Sequence, residues 1–233
     1  MIAIGLIQIA ILLFSLLRAK GLALMLGPEG VGVIGTMDQL VVTVTRVSAF
    51  GIPIAAMKFM SAAHSISEDA FRDCYAAFVR IMIGLTLLVM ALGFGVMLFA
   101  PYLLSAFADY SEVLAAALMI VPAMMLTVLI AHTLAAAQMP RAAALYNFCF
   151  VSGVAMSGLT GVWLGGVEGL YYGAAAAGAM IVLSGLAFLW LRLGLSVLRR
   201  GVSIRQQLTL RPNVFGTALT ASITLVSISV TML

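Results

Sequence analysis

The sequence predicts an all-α polytopic membrane protein with about seven transmembrane helices. Three observations carry that expectation. The 233-residue chain is 64% hydrophobic and 9% charged, where a soluble domain is roughly half apolar and a quarter charged, so it cannot cover its surface with polar groups. Its apolar runs are about twenty residues or longer, the length at which a helix crosses roughly 30 Å of hydrocarbon. The runs do not alternate polar with apolar, and backbone in hydrocarbon must pair its own N–H and C=O groups, so helices are what remain.

The first run, Ile2 to Met25, opens on "MIAIGLIQIAILLFSLL". It lacks a basic n-region, and "RAKGLALMLG" is a poor small-residue cleavage site, so it is read as a span and not a signal peptide. The second, Val31 to Met57, is broken near its end by Gly51-Ile52-Pro53. A polar segment follows, in which Ser65 and Glu68 fit a capping box and Glu68 and Asp69 suit a helix N-terminus. The third span is Tyr75 to Ala100, ended by Pro101. Asp109 and Glu112 precede the fourth, Val113 to Ala135. "AAAQMPRAAA" turns into the fifth, Ala142 to Trp163, and "LGGVEG" leads to the sixth, Leu170 to Leu191. Residues 1–195 thus hold six spans, 196–213 a basic connector, and 214–233 a seventh apolar run.

Charge gives orientation. Lys58, Arg72 and Arg80 follow the second span, Arg141 the fourth, and Arg192, Arg199, Arg200, Arg205 and Arg211 the sixth. The alternate turns hold Glu29, Asp109, Glu112 and Glu168, with no Lys or Arg. Basic loops stay cytoplasmic, which puts the N-terminus inside. The connector, with Val202, Ile204, Leu208 and Leu210 among its arginines, reads either as a solvated loop or as a segment lying on an anionic leaflet.

Four ionisable side chains sit inside the apolar body of the first hairpin: Arg18, Lys20, Asp38 and Arg46. Counted from the turn at Pro28-Glu29, Lys20 matches Asp38 in depth and Arg18 matches Gln39. A charge at the centre of a bilayer costs about 2.5–3.5 kcal/mol on insertion scales, so a Lys20–Asp38 pair is expected. Two roles stay open for that pair, helix packing alone or the wall of a cavity. Arg46, read at the middle of the second span, has no carboxylate at its depth. Arg18, Lys20 and Arg46 against Asp38 leave a positive surplus, which would suit an anionic ligand and phosphate oxygens in particular. Arg18, Lys20, Asp38, Gln39 and Arg46 are therefore the candidate substrate-binding residues.

Other signals are weaker. His64 and His132 read as interfacial packing residues, and the many Met as packing filler. Gly161…Gly165 and Gly169…Gly173 have the spacing for close helix contact. Cys74 and Cys149 have no partners at metal-ligand spacing. No phosphate-binding glycine loop, activated nucleophile or paired catalytic carboxylate is found. The expectation is a protein that is not an enzyme, with no cofactor, metal or nucleic-acid partner.

The stretches "KGLALMLGPEGVGVIGTMDQL" and "SAFGIPIAAMKFMSA" resemble the polysaccharide transporter family, the O-antigen flippases, in the superfamily that also holds multidrug exporters and the lipid II flippase. Lys20, Gly27, Pro28, Glu29, Gly30, Gly32, Gln39 and Gly51 carry the resemblance, over roughly the first 60 residues. It implies a bacterial inner-membrane protein of two six-helix lobes around a cavity. Those lobes would carry a polyprenyl-pyrophosphate-linked oligosaccharide across the membrane by alternating access. Its expected partners are that anionic lipid-linked oligosaccharide and membrane lipids, with glycan polymerase and glycosyltransferases as candidates beside them. On this reading 1–195 is the first lobe, 214–233 opens a second, and the chain is an N-terminal portion of a longer transporter. The alternatives are a multidrug exporter of the same superfamily, or a non-transporting membrane subunit of a polysaccharide-assembly complex.

Overall fold

In the computed structural model, residues 2–103 and 111–196 are described. They form six helices and no strand: α1 (Ile2–Ala49), α2 (Ile52–His64), α3 (Glu68–Leu103), α4 (Ser111–Leu118), α5 (Val121–Ala136) and α6 (Pro140–Leu193). The basic connector from residue 197 onward, the seventh helix and Asp109 lie outside the described residues.

α1 and α6 are each a hairpin. α1 turns at Gly27 (φ 69°, ψ −176°), a left-handed conformation that an L side chain resists, and Pro28 opens the second arm, where its missing N–H costs nothing. Its arms, 2–26 and 28–49, are each over twenty residues. α6 turns at Gly165 and Gly166, the latter at φ 63°, into arms 140–164 and 167–193. Across this second turn the backbones of Gly161 and Gly169 touch, and Ser157 Oγ donates to the Gly173 carbonyl at 2.7 Å. The close-contact pattern is therefore Ser157…Gly161 against Gly169…Gly173. Gly165, expected to share in that contact, is instead part of the turn and has nothing within 4 Å of where a Cβ would stand.

Four helical runs are long and apolar enough to cross a membrane: 4–49, 68–95, 111–136 and 140–193. Two of these runs, α1 and α6, are each bent into two arms at their turns. The surface agrees. Leu12, Leu13, Leu16, Leu24, Leu87, Trp163, Leu164 and Leu183 are all exposed, on a body whose polar groups are few.

Details of the predicted elements change. The second span ends at Ala49, and the expected break becomes two left-handed residues, Phe50 and Gly51, before α2. α3 is capped by Ser67 and not Ser65: Ser67 Oγ accepts the Ala70 N–H at 3.1 Å, while Ser65 Oγ donates to the Ala62 carbonyl in the last turn of α2. α3 runs two residues past Pro101, within the spread by which helix ends differ. The fourth span is split at Met119-Ile120, because Pro122 has no N–H to offer the Leu118 carbonyl. α5 ends with Gln138 left-handed and the Met139 N–H on the Leu134 carbonyl, a Schellman stop just before Pro140.

α5 is the core helix and packs against α6, α2, α3 and α1. Met125, Leu129, Ile130 and Thr133 on it are almost fully buried. Two buried threonines donate back to their own helix, Thr133 to the Leu129 carbonyl and Thr86 to that of Met82, so neither hydroxyl is left unmatched. The same hydroxyls lie against sulfurs of other helices, Met60 and Met125, which fits the reading of methionine as filler.

The two hairpins face each other. Phe14 meets Phe148 edge-on at 5.6 Å, and Gly21 packs against Leu159, so the first arms run parallel and both turns lie at one end. At the other end Arg72, in the first turns of α3, donates from Nε to the Leu193 carbonyl at the end of α6. Glu29 and Glu168 thus sit at one end of the helix bundle, and Arg72 and Arg192 at the other. This is the segregation that the alternating loop charges require.

Candidate functional site

A cavity of about 390 Å³ opens between the arms of α1, the facing arms of α6, and the junction of α4 with α5. Its wall is apolar, with Leu22, Ile34, Met124 and Phe150 among the lining residues. Among the described residues, the charged ones lining it are Arg18 and Asp38.

These two form an ion pair, Nη2 of Arg18 to Oδ2 of Asp38 at 3.0 Å, with side chains 29% and 34% exposed. The second carboxylate oxygen, Oδ1, lies 3.1 Å from the hydroxyl of Tyr171 on α6, which is also 3.3 Å from the Ile34 carbonyl. The hydroxyl has one proton, and the carboxylate is the nearer and stronger acceptor. Tyr171 is almost fully buried, so its hydroxyl needs that partner. The result is a chain of contacts, Tyr171 to Asp38 to Arg18, linking the two hairpins at mid-depth.

The expected partner of Asp38 was Lys20, and here the structure corrects the sequence. Depth alone does not bring two helices' side chains together; the direction around each axis must also agree. Arg18 and Lys20 are two residues apart, which is about 200° around the helix. Arg18 shares a face with Ser15, Ala19 and Leu22, all of which line the cavity. Lys20 is on the other side and is exposed. Counted from Pro28-Glu29, Arg18 and Asp38 differ in depth by one residue, about 1.5 Å, well within an arginine's reach.

Gln39 is half-buried and not among the cavity-lining residues. Arg46 is exposed, also outside the lining, and stands in the last turn of α1. A position at the middle of the second span requires that span to run to Met57. With the helix ending at Ala49, Arg46 lies about 27 Å along the arm from Pro28, most of a hydrocarbon thickness. A cation in the last helical turn complements the helix dipole. The expected positive surplus is therefore not gathered in the cavity: of the five candidate residues, it brings together Arg18 and Asp38. Tyr171, which completes the site, was missed. Its signal was a polar-tipped aromatic in the apolar run "GLYYGAAAAG", where a buried hydroxyl demands an acceptor.

His64 lies edge-on to Phe71 at 5.1 Å, and a ring nitrogen of His132 is 2.7 Å from the Val128 carbonyl of its own helix.

No family model, curated protein or solved structure matches the chain. Several residues of the first hairpin have definite places in the structure. Gly27 makes the turn, Pro28 opens the second arm, and Gly51 is left-handed between α1 and α2. A Cβ on Gly30 would stand 2.6 Å from that of Leu26, so this glycine lets the turn close. Gly32 has open space around it.

Proposed function

We propose that the chain forms the first six-helix lobe of a lipid-linked oligosaccharide flippase in a bacterial inner membrane, with its N-terminus cytoplasmic. The observation that carries the proposal is the first hairpin. Its Gly-Pro-Glu-Gly turn brings two apolar arms around a mid-depth cavity, with an arginine that uses one hydrogen bond among the described residues. A guanidinium has five donors, so Arg18 keeps capacity for phosphate oxygens while its charge is balanced in the resting lobe. Support for the substrate class thus comes from the placement of one arginine in an apolar cavity, and not from a net positive charge.

Alternating access needs two bodies moving around one site. As one lobe, this chain is expected to bind polyprenyl-pyrophosphate-linked oligosaccharide in proteoliposomes without moving it across. Flipping by the purified chain would contradict the single-lobe reading, and absence of binding would contradict the substrate class. The exporter reading with a cationic drug is less well supported, because the acid in the cavity is already held by Arg18 and Tyr171.

A further inference from the structure

We infer that Tyr171 is a positioning residue that keeps Arg18 available to a lipid-borne phosphate in the cavity. This rests on the flippase reading and adds to it a residue and a way of setting affinity.

The argument begins with what Arg18 and Asp38 would do alone. A guanidinium and a carboxylate favour a bidentate fork, two parallel N–H···O bonds, which is their strongest geometry. In that geometry one edge of the guanidinium is spent. Here the pair is held by Nη2 to Oδ2. The other carboxylate oxygen is engaged by a hydroxyl from the opposite hairpin, 3.1 Å away. Tyr171 is fixed in place by almost complete burial, and its backbone belongs to α6, so its hold on Oδ1 does not follow Arg18. Asp38 is thereby turned to meet Arg18 with one oxygen.

The remaining donors of Arg18 belong to a side chain that lines an otherwise apolar cavity of about 390 Å³. That combination fits an amphiphile with a phosphate head and a hydrocarbon tail better than a free, fully hydrated phosphate. The apolar wall offers a free anion few groups to replace its water. Asp38 then has two opposed effects. It lowers the cost of holding Arg18 in the membrane, and it competes with the ligand for the guanidinium. Tyr171 limits the competition.

The full chain in lipid nanodiscs can be titrated with farnesyl pyrophosphate, inorganic pyrophosphate and farnesol, with binding followed by native mass spectrometry. Wild type should bind farnesyl pyrophosphate more tightly than either of the others. Tyr171→Phe should weaken farnesyl pyrophosphate about tenfold, the size of one hydrogen bond to a charged group. Asp38→Asn should strengthen it about tenfold, since the competing charge is gone. In the Asp38→Asn background, Tyr171→Phe should have little further effect, because no carboxylate is left to restrain. A purely structural role for Tyr171 would weaken binding in both backgrounds. No binding of farnesyl pyrophosphate by wild type would overturn the flippase reading itself. Inorganic pyrophosphate bound as tightly as the lipid would overturn the lipid source. With wild-type binding intact, an unchanged affinity in Tyr171→Phe, or no gain in Asp38→Asn, would overturn the role given to Tyr171 alone. If Tyr171→Phe does not fold, Tyr171→Leu, which also removes the hydroxyl, takes its place in both backgrounds, with the same result expected and the same results overturning the role.

Discussion

Gly161→Ala is a sharp test of the second hairpin. A methyl group at Gly161 would land on the backbone of Gly169, with its carbonyl carbon at 2.6 Å and the Leu170 nitrogen at 3.2 Å. The obstacle is backbone on a packed helix, so no rotamer change can relieve it. The arms must part by about 1 Å to reach ordinary contact, and this would stretch the Ser157–Gly173 hydrogen bond from 2.7 Å. Separation also loosens the packing of nearby buried residues, among them Val162 and Leu170. Overpacking of this kind costs about 1–3 kcal/mol, and a lost hydrogen bond adds about 1 kcal/mol, so about 2–4 kcal/mol is expected. Alanine's better helix propensity returns up to about 1 kcal/mol of that. Thermal unfolding in detergent, followed by circular dichroism, should show a melting temperature lower by several degrees. Gly32→Ala is the control, because nothing lies within 4 Å of its Cβ position, and it should be neutral or slightly stabilising. If Gly161→Ala melts with wild type while both variants fold, the close approach of the two arms is wrong.

Three further outcomes follow from the same structure. Arg18→Met or Asp38→Leu alone should each destabilise the lobe by about 1–3 kcal/mol, below the figure for a fully buried pair because both groups are about a third exposed, whereas the double variant should recover most of the loss. Additive losses in a thermal-unfolding cycle would mean that the two residues do not interact. Cysteines at Glu29 and Glu168, in a background without Cys74 and Cys149, should label with impermeant reagent from outside intact cells, and cysteines at His64 and Arg141 should not. Labelling that divides these positions differently would reject the orientation. Arg46→Ala should leave ligand binding within about twofold of wild type, because the side chain is exposed and lies outside the cavity lining; loss of binding at normal expression would restore it to the site.

The composition and the apolar run lengths were enough for the all-helical fold and for helices apolar and long enough to cross a membrane, since both are averages over many residues. Turns with a steric signature were legible too: Gly27-Pro28, Gly51 and Gln138-Met139-Pro140 all end or start helices where chain stiffness requires it. The ion pair was legible only in part. Counting residues from the turn measures depth, which located Asp38 and its partner to within a few ångströms. It does not measure angle around the helix, and that angle decided for Arg18 over Lys20. Arg46 was misplaced for a related reason. The break at Phe50-Gly51 shortens the helix, and the position of a residue in a span depends on where the span ends. Tyr171 could not be assigned from the sequence, because its partner is on the other hairpin and their meeting depends on how the two hairpins pack.

The most direct test of the flippase reading is the leaflet distribution of lipid-linked oligosaccharide in cells with and without this gene. Membrane-impermeant periodate or lectin, applied to spheroplasts, reports the fraction of the oligosaccharide exposed on the outer leaflet. Without the gene, the lipid-linked oligosaccharide should accumulate on the cytoplasmic side, with the outer fraction falling at least tenfold and surface glycan lost. An unchanged outer fraction, with surface glycan at its normal level, would contradict the assignment.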